Sequence, residues 1–153
     1  MLSSDALRAV VSGDEADQSA TDDAFRLLHL ILDLRLARGR LSVVDATNVE
    51  RWARRLSVDV ARRHRRPAAA IVFDLPLEAC LEHNAHRADG RRPPAAIRRQ
   101  HRWMRELRPT LGMEGFDPVV VLTSAEEAAA ARVERMPPAG HANVPKEPRP
   151  SLR

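Results

Sequence analysis

Short apolar runs rich in β-branched residues alternate with longer helical patterns, and this alternation constrains the fold more than any other feature. The runs lie at 41–45, 68–74 and 119–122. Strands that are separated in sequence by helices usually pair in parallel, because the helix carries the chain back to the starting edge of the sheet. The sequence therefore predicts an α/β fold with a mainly parallel sheet between layers of helices.

Capping signals place the helices between these runs. Thr21-Asp22-Asp23 predicts an N-cap and an acidic first turn for a helix that ends at Gly39. Leucines cover this helix beyond one stripe, so we expect it to be buried on more than one side. Thr47 to Glu50 matches a capping box and predicts a helix to about Arg66. Further helices are predicted after Pro76, from about Ala95 to Arg108, and from the capping box of Ser124 to Glu127.

The composition indicates one globular domain over residues 1–135 and a proline-rich, disordered tail over residues 136–153. The single cysteine, Cys80, excludes an internal disulfide and is expected to be a small core residue. No apolar stretch approaches the ~20 residues of a membrane helix, and the N-terminus lacks a signal-peptide pattern. We expect a cytoplasmic protein with no membrane contact. The sequence does not indicate its oligomeric state.

The net charge of +4 and the pI of about 10.7 favour a polyanionic partner such as nucleic acid. A solvated basic surface explains the same charge equally well, since nearly all of it is arginine. Lys146 is the only lysine and lies in the proline-rich tail. No lysine is therefore available for a phosphate-binding loop.

Several segments, in order, resemble the bacterial polynucleotide-kinase group of P-loop phosphotransferases, whose relatives are often called AAA-family ATPases or predicted kinases. The resemblance begins at Leu2 and extends to about Arg135. Its segments include Leu2-Ser3-Ser4-Asp5-Ala6-Leu7-Arg8, Val43-Val44-Asp45-Ala46-Thr47-Asn48-Val49, Ala70-Ile71-Val72-Phe73-Asp74-Leu75-Pro76, Asn84 to Arg87, Arg99-Gln100 and Glu114-Gly115-Phe116.

The resemblance implies a three-layer P-loop kinase fold that uses ATP and Mg²⁺. In that family a strand and a glycine-rich loop ending in Gly-Lys-Ser or Gly-Lys-Thr precede the Ser-Ser-Asp segment and hold the ATP phosphates. This chain begins at Met1, past that point. We therefore expect a form that lacks the central strand of the sheet, folds poorly alone and is inactive, with no tight ATP binding.

The resemblance also assigns roles on the acceptor side. Asp5 would be the general base for an attacking hydroxyl, and Arg8 would hold a phosphate of the acceptor strand. The alternative for Asp5 is N-capping of the next helix. Asp45 and Asn48, at the end of a predicted strand, would support the metal through water or orient the phosphate loop. A turn or cap role explains Asp45 equally well, and no residue is expected to ligate the metal directly.

Arginines of the predicted lid loop would contact the transferring phosphates. Arg87 and Arg91 are the candidates, because a guanidinium stays charged and can bind two phosphate oxygens at once. Surface solubility is the expected role of the later arginines Arg98, Arg99, Arg102, Arg105 and Arg108. We interpret His83 and His86 as surface residues rather than zinc ligands, and Trp52 and Trp103 as half-buried packing residues.

Three functions follow from these patterns. The first is an ATP-dependent kinase for the 5′-hydroxyl end of RNA or DNA, of which this chain would be a truncated form. The second is a degenerate non-catalytic protein that binds nucleic acid or another partner. The third is a P-loop kinase for a small metabolite, since the same arginines would serve either acceptor.

Overall fold

Strands and helices alternate along the chain, as the sequence predicts. The computed structural model describes residues 1–87 and 92–134. Its elements are β1 (Leu2–Ser3), α1 (Ser4–Ser12), α2 (Thr21–Ala37), β2 (Val44–Asp45), α3 (Arg51–Arg63), β3 (Ala70–Phe73), α4 (Leu77–His86), α5 (Pro94–Leu107), α6 (Leu111–Glu114), β4 (Val119–Leu122) and α7 (Ala125–Ala130).

The strands form two parallel pairs. β1 pairs with β2, with Leu2 opposite Val44, and β3 pairs with β4, with Ala70 opposite Val119. In the two described ranges no ladder joins β2 to β3, so each of these strands has an unpaired edge. The parallel α/β architecture is confirmed, and the sheet consists of two separate pairs.

The main core lies where α2 and α3 pack against β1. Leu2, Leu28, Leu32 and Val60 are buried there, with Leu7, Ile31, Leu36 and Val44 packed around them. The β1–α1 and α2–β2 connections bring these side chains together, because both strands run in the same direction over the buried face of α2. This core fixes the end of β1, and Asp5 and Arg8 follow directly on α1.

Two expectations about burial are wrong. Only one stripe of α2 is buried, and Leu30 and Leu34 on its other side are 57% and 49% exposed. The strand expected over 41–45 is reduced to two residues, with Leu41 and Val43 exposed. The α2 difference arises because α1, β1 and α3 all pack on the same side of that helix. The β2 difference arises because, among the described residues, this strand has a neighbouring strand on one edge only.

Two predicted helix caps are also wrong, although the acidic first turn of α2, with Asp22 and Asp23, is confirmed. Thr21 is already helical, because the 3₁₀ turn Gln18–Ala20 leads directly into α2, and Asp17 caps that turn by accepting from the Ser19 N–H. The Thr47 to Glu50 segment forms no capping box, and α3 begins at Arg51 without a side-chain cap. Asn48 instead adopts a positive φ of 48° and turns the chain.

The second half of the chain follows the sequence prediction closely. β4 spans the predicted residues, and α5 starts and ends within one residue of the expected limits. Ser124 accepts from the Glu127 N–H at 3.1 Å, and the Glu127 carboxylate accepts from the Thr123 N–H at 2.6 Å. The capping box is thus confirmed, with its return bond made to Thr123 instead of Ser124.

One face of the β3–β4 pair is uncovered. Val72 is buried, whereas Ile71 and Phe73 on the other face are 56% and 58% exposed, with Val120 exposed beside them. The tail predicted after Met136 lies outside the described residues. Across the described ranges, no helix combines the length and apolar character needed to cross a bilayer.

Two leucines of α2 provide a matched test of this packing. Leu28 is fully buried, and Leu30, two residues away, is exposed. We predict that Leu28→Ala lowers the free energy of unfolding by about 2 to 4 kcal/mol, because it removes buried methyl groups and leaves a cavity. Leu30→Ala should change it by less than about 0.5 kcal/mol. Urea unfolding followed by circular dichroism measures both, and equal losses would contradict the one-sided burial of α2.

Candidate active site at the carboxyl edge of the first strand pair

Two of the predicted site carboxylates lie at the same edge of the sheet. β1 and β2 run in parallel and end together, with Ser3 opposite Asp45. α1 begins directly after β1, so Asp5 lies in its first turn, at the carboxyl edge where Asp45 ends β2. In open parallel sheets this edge is where ligands bind.

Asp5 is not the cap of α1. Ser3 is the N-cap, and its hydroxyl accepts from the Ala6 N–H at 3.4 Å. The capping alternative for Asp5 is therefore wrong. The Asp5 side chain is 46% exposed, so one part of it faces its protein neighbours and the rest faces solvent.

Arg8, one turn further along α1, contacts Asp5 from the buried side. Its Nη2 donates to Asp5 Oδ1, and its Nε donates to the Glu15 carbonyl at 2.8 Å. The Arg8 side chain is almost fully buried. In this structure the guanidinium therefore holds Asp5 and the loop after α1, and its contact with an acceptor phosphate stays a prediction.

The turn between β2 and α3 contains the fourth predicted site residue, Asn48. Its backbone is left-handed, a conformation that costs an asparagine little but is uncommon outside turns and functional sites. Its Oδ1 is buried, and no described group donates to it. A buried carbonyl oxygen without a donor costs about 1 to 3 kcal/mol, so this atom has an unmet need for one.

The buried side chain of Arg54 binds the backbone of this turn. Its Nη1 donates to the carbonyls of Asn48 at 2.9 Å and of Val49 at 2.8 Å. The other edge of the guanidinium forms a two-bond pair with Glu114, at 2.8 Å for each bond. Thr110 donates a further bond to Glu114 Oε1 at 2.9 Å.

The Arg54–Glu114 pair is buried, with the two side chains 7% and 8% exposed. Hydrogen bonding from Arg54 holds the pKa of Glu114 below its usual value of about 4.5. This pair connects α3, in the first half of the chain, to α6, which leads to β4. The sequence patterns do not identify it, although a charged residue inside the buried stripe of α3 (Ala53, Arg54, Val58, Ala61) is a signal that could have done so.

Gly115, directly after α6, lies close against α3 where the Arg54–Glu114 pair joins the two helices. Its φ is 105°, which favours glycine, and a Cβ there would lie 2.3 Å from Arg62 Nη2 and 3.2 Å from Val58 Cγ1. Gly115 therefore allows α6 to approach α3 closely enough for Glu114 to reach Arg54.

The lid candidates lie in the other half of the chain. Arg87 is an exposed residue at the C-terminal end of α4. Asn84 closes the base of the loop that follows, because its Nδ2 donates to the Arg92 carbonyl at 2.9 Å and its Oδ1 accepts from the Arg92 N–H at 2.8 Å. Arg91 lies outside the described residues. The structure therefore brings Asp5, Arg8 and Asp45 to the carboxyl edge of the β1–β2 pair. Arg87 instead lies at the end of α4, which follows β3 in the chain.

The remaining candidates have ordinary environments. Burial raises the pKa of the Cys80 thiol, and Trp52 packs edge-on against Phe25 with ring centroids 5.2 Å apart. His83 and His86 are exposed. In the described ranges no three histidine, cysteine, aspartate or glutamate side chains group together as a metal site would require.

The parallel α/β fold, with acidic residues at the carboxyl edge of its strands, is that of a P-loop kinase-like nucleotide-binding protein. Residues 1–110 match a family model described as an AAA domain, and the chain therefore belongs to that family. No curated protein matches it.

The Arg54–Glu114 pair predicts a specific pH dependence. A carboxylate whose pKa is lowered by folding stabilises the fold above its unfolded pKa, and this contribution is lost as the pH falls through its folded pKa. We expect Glu114→Gln to lower the free energy of unfolding by about 3 kcal/mol at pH 7, because it leaves Arg54 buried without a counter-charge. The difference from the native chain should shrink below about pH 4.5.

Glu82→Gln is the matched control, since Glu82 is exposed on α4. It should change the free energy of unfolding by less than about 0.5 kcal/mol at any pH. Urea unfolding between pH 3 and pH 7 measures both variants. A Glu114→Gln effect that does not depend on pH would show that the pair contributes shape rather than charge.

Proposed function

We propose that this chain carries the acceptor side of an ATP-dependent phosphotransferase resembling 5′-hydroxyl polynucleotide kinase. The observation that carries the proposal is Asp5, a half-exposed carboxylate that Arg8 orients at the sheet edge shared with Asp45. A general base must present a free oxygen to the hydroxyl while its own position is fixed. Asp5 has both properties.

The carboxylate of Asp5 would accept the proton of the attacking hydroxyl. Phosphoryl transfer requires little covalent chemistry from the protein, and catalysis consists mainly of positioning and charge neutralisation. The bonds from Arg8 to Asp5 and to the Glu15 carbonyl support this positioning. Asp45 would act on the same edge through the water shell of Mg²⁺, for which a carboxylate is a suitable partner.

The described residues do not fit a triphosphate by themselves. No Gly-Lys pair occurs anywhere in the 153 residues, and the only lysine is Lys146. We infer that a strand and phosphate loop outside these residues add between β2 and β3. Three observations on the described residues support this: β2 and β3 each have an unpaired edge, Ile71 and Phe73 are exposed on one face of β3, and no described group donates to Asn48 Oδ1.

ATP binding by the 153-residue chain tests this inference. We predict a dissociation constant weaker than about 1 mM for ATP with Mg²⁺, because neither loop amides nor a loop lysine can hold the phosphates. Isothermal titration calorimetry measures it. Micromolar binding would mean that other residues hold the nucleotide and would contradict the proposal.

Reading the coding DNA upstream of Met1 separates the proposal from its main alternative. An in-frame strand followed by a glycine-rich loop ending in Gly-Lys-Ser or Gly-Lys-Thr would support a kinase. The absence of such a segment would favour a non-catalytic protein that binds nucleic acid or a partner.

The role of Asp5 is tested in the protein that includes such a segment. We predict that Asp5→Ala lowers phosphate transfer from ATP to a 5′-hydroxyl oligonucleotide by at least about 100-fold, because the acceptor loses its general base. ATP affinity should change by less than about three-fold, since Asp5 lies on the acceptor side. Transfer of labelled phosphate and calorimetry measure the two effects.

Asp22→Ala is the matched control, because Asp22 is an exposed carboxylate in the first turn of α2. It should leave transfer unchanged. Retained turnover in Asp5→Ala would show that Asp5 only holds Arg8. Transfer to a small alcohol but not to the oligonucleotide would favour a metabolite kinase.

A further inference from the structure

A basic cleft lies between the start of α4 and the face of α5 that carries Arg98 and His101, in the half of the chain that does not contain Asp5. It has a volume of about 550 Å³. Its lining residues are Leu77, Arg98, His101, Arg102, Arg105 and Glu106. Three guanidinium groups thus face one carboxylate, so the cleft carries a net positive charge at neutral pH.

The arginines of this cleft differ from most of those on α3. On α3, Arg54 pairs with Glu114, Arg55 pairs with Asp59, and Arg63 pairs with Asp33. Within residues 1–87 and 92–134, no carboxylate lies within ion-pair distance of Arg98, Arg102 or Arg105. Within the described residues, four of the five arginines on α3 have a carboxylate partner, with Arg51 the exception, and none of the four on α5 has one. Arginine-rich composition alone does not explain this contrast.

The unpaired arginines also repel one another. Arg98 and Arg102 are four residues apart on α5, and Arg102 and Arg105 are three apart, so their side chains are neighbours on the helix surface. Like charges at these spacings destabilise a helix by about 0.2 to 0.5 kcal/mol per pair. An anion in the cleft would turn this repulsion into attraction.

The spacing of the three arginines matches a linear polyanion. Arg98 to Arg105 spans seven residues, about 10.5 Å along the helix axis at 1.5 Å per residue. Each strand of a DNA duplex rises about 3.4 Å per phosphate along its axis, so this distance covers about three phosphates of a strand that is stacked as in a duplex. Each guanidinium can donate two parallel bonds to one phosphate, which an ammonium cannot do.

His101 lines the cleft and connects α5 to the end of β3. Its Nε2 lies 3.1 Å from the Leu75 carbonyl, directly after β3, and this contact holds α5 against the strand end. A smaller recess of about 310 Å³, lined by Asp74, Arg105, Arg108 and Pro109, continues the basic surface toward the end of α5. There Arg108 is paired with Asp74, so it contributes less free charge.

We propose that this basic cleft binds the phosphate backbone of a nucleic-acid strand. The inference gives the nucleic-acid acceptor of the proposed phosphotransferase a binding surface, and its biological role rests on that proposed function. The binding itself needs neither ATP nor Asp5. A free polyphosphate also presents a row of negatively charged phosphate groups, in a shorter molecule. The experiment below distinguishes the two ligands.

The test uses the 153-residue chain and a single-stranded 12-mer oligonucleotide with a 5′-hydroxyl end and a 3′ fluorophore. The triple variant Arg98→Gln, Arg102→Gln, Arg105→Gln should bind the oligonucleotide at least ten-fold more weakly in fluorescence anisotropy at low salt. The slope of log affinity against log salt should decrease by about 2, because three phosphate contacts are lost at about 0.7 each. Arg102→Gln alone should weaken binding about three-fold.

The control triple Arg26→Gln, Arg38→Gln, Arg55→Gln changes the net charge by the same amount at exposed positions on α2, directly after α2 and on α3. It should weaken binding by less than three-fold. Equal losses in the two triples, or no loss in the cleft triple, would overturn the proposal. So would displacement of the oligonucleotide by inorganic triphosphate at an equal concentration of phosphate groups, since the ligand would then be a free polyphosphate.

The two proposals fail separately. Loss of phosphate transfer in an extended protein leaves the anisotropy result unchanged, because no ATP is present in that measurement. A cleft triple that binds the oligonucleotide normally would leave the Asp5 proposal standing, because the transfer assay compares proteins in which the cleft arginines are intact. Circular dichroism of the cleft triple should match that of the control triple, since all six arginines are exposed.

Discussion

The bond between Arg54 and Glu114 joins the two halves of this protein, and the geometry of the candidate site depends on it. A buried ion pair is costly to desolvate and is tolerated only when its polar atoms are satisfied. Here Arg54 uses its remaining donors on the carbonyls of Asn48 and Val49, and Thr110 supplies a further bond to Glu114. The same guanidinium therefore positions the turn after β2 and anchors α6 before β4. The hydrogen bonds that satisfy Arg54 in this buried pair are therefore the same bonds that position the turn at Asn48.

The two strand pairs explain why so much apolar surface is exposed in a chain with a well-defined core. A strand inside a parallel sheet normally has a neighbour on both edges and helices on both faces. β2 and β3 each have one free edge, and Ile71 and Phe73 on β3 face solvent. At about 25 cal/mol per Å² of buried apolar surface, covering these residues would add several kcal/mol to a fold whose total stability is typically about 5 to 15 kcal/mol. The free edges are also templates for pairing with another strand.

The sequence predicts those parts of the fold that follow from local patterns. β4, α5 and the capping box at Ser124 are correct because each depends on neighbouring residues alone. The burial of α2 is overestimated, since burial depends on what packs around a helix, and periodicity reports only what could be buried. The capping box at Thr47 is wrong because the distant Glu114 holds Arg54 under that turn, and no local pattern encodes a contact 60 residues away. The convergence of Asp5 and Asp45 follows from the parallel register of two strands, which the α/β pattern does predict.

The distribution of charge partners separates two explanations of the basic composition. If the arginines were only a solvated surface, paired and unpaired ones would be mixed along every helix. Instead four of the five arginines of α3 (Arg54, Arg55, Arg62 and Arg63, but not Arg51) have carboxylate partners, whereas Arg98, Arg102 and Arg105 of α5 have none within the described part of the chain. Like charges held side by side on one helix cost stability unless something opposite in charge neutralises them. The three unpaired arginines and His101 of α5 line the same cleft, so this group of positive charges lies where an extended anion can bind.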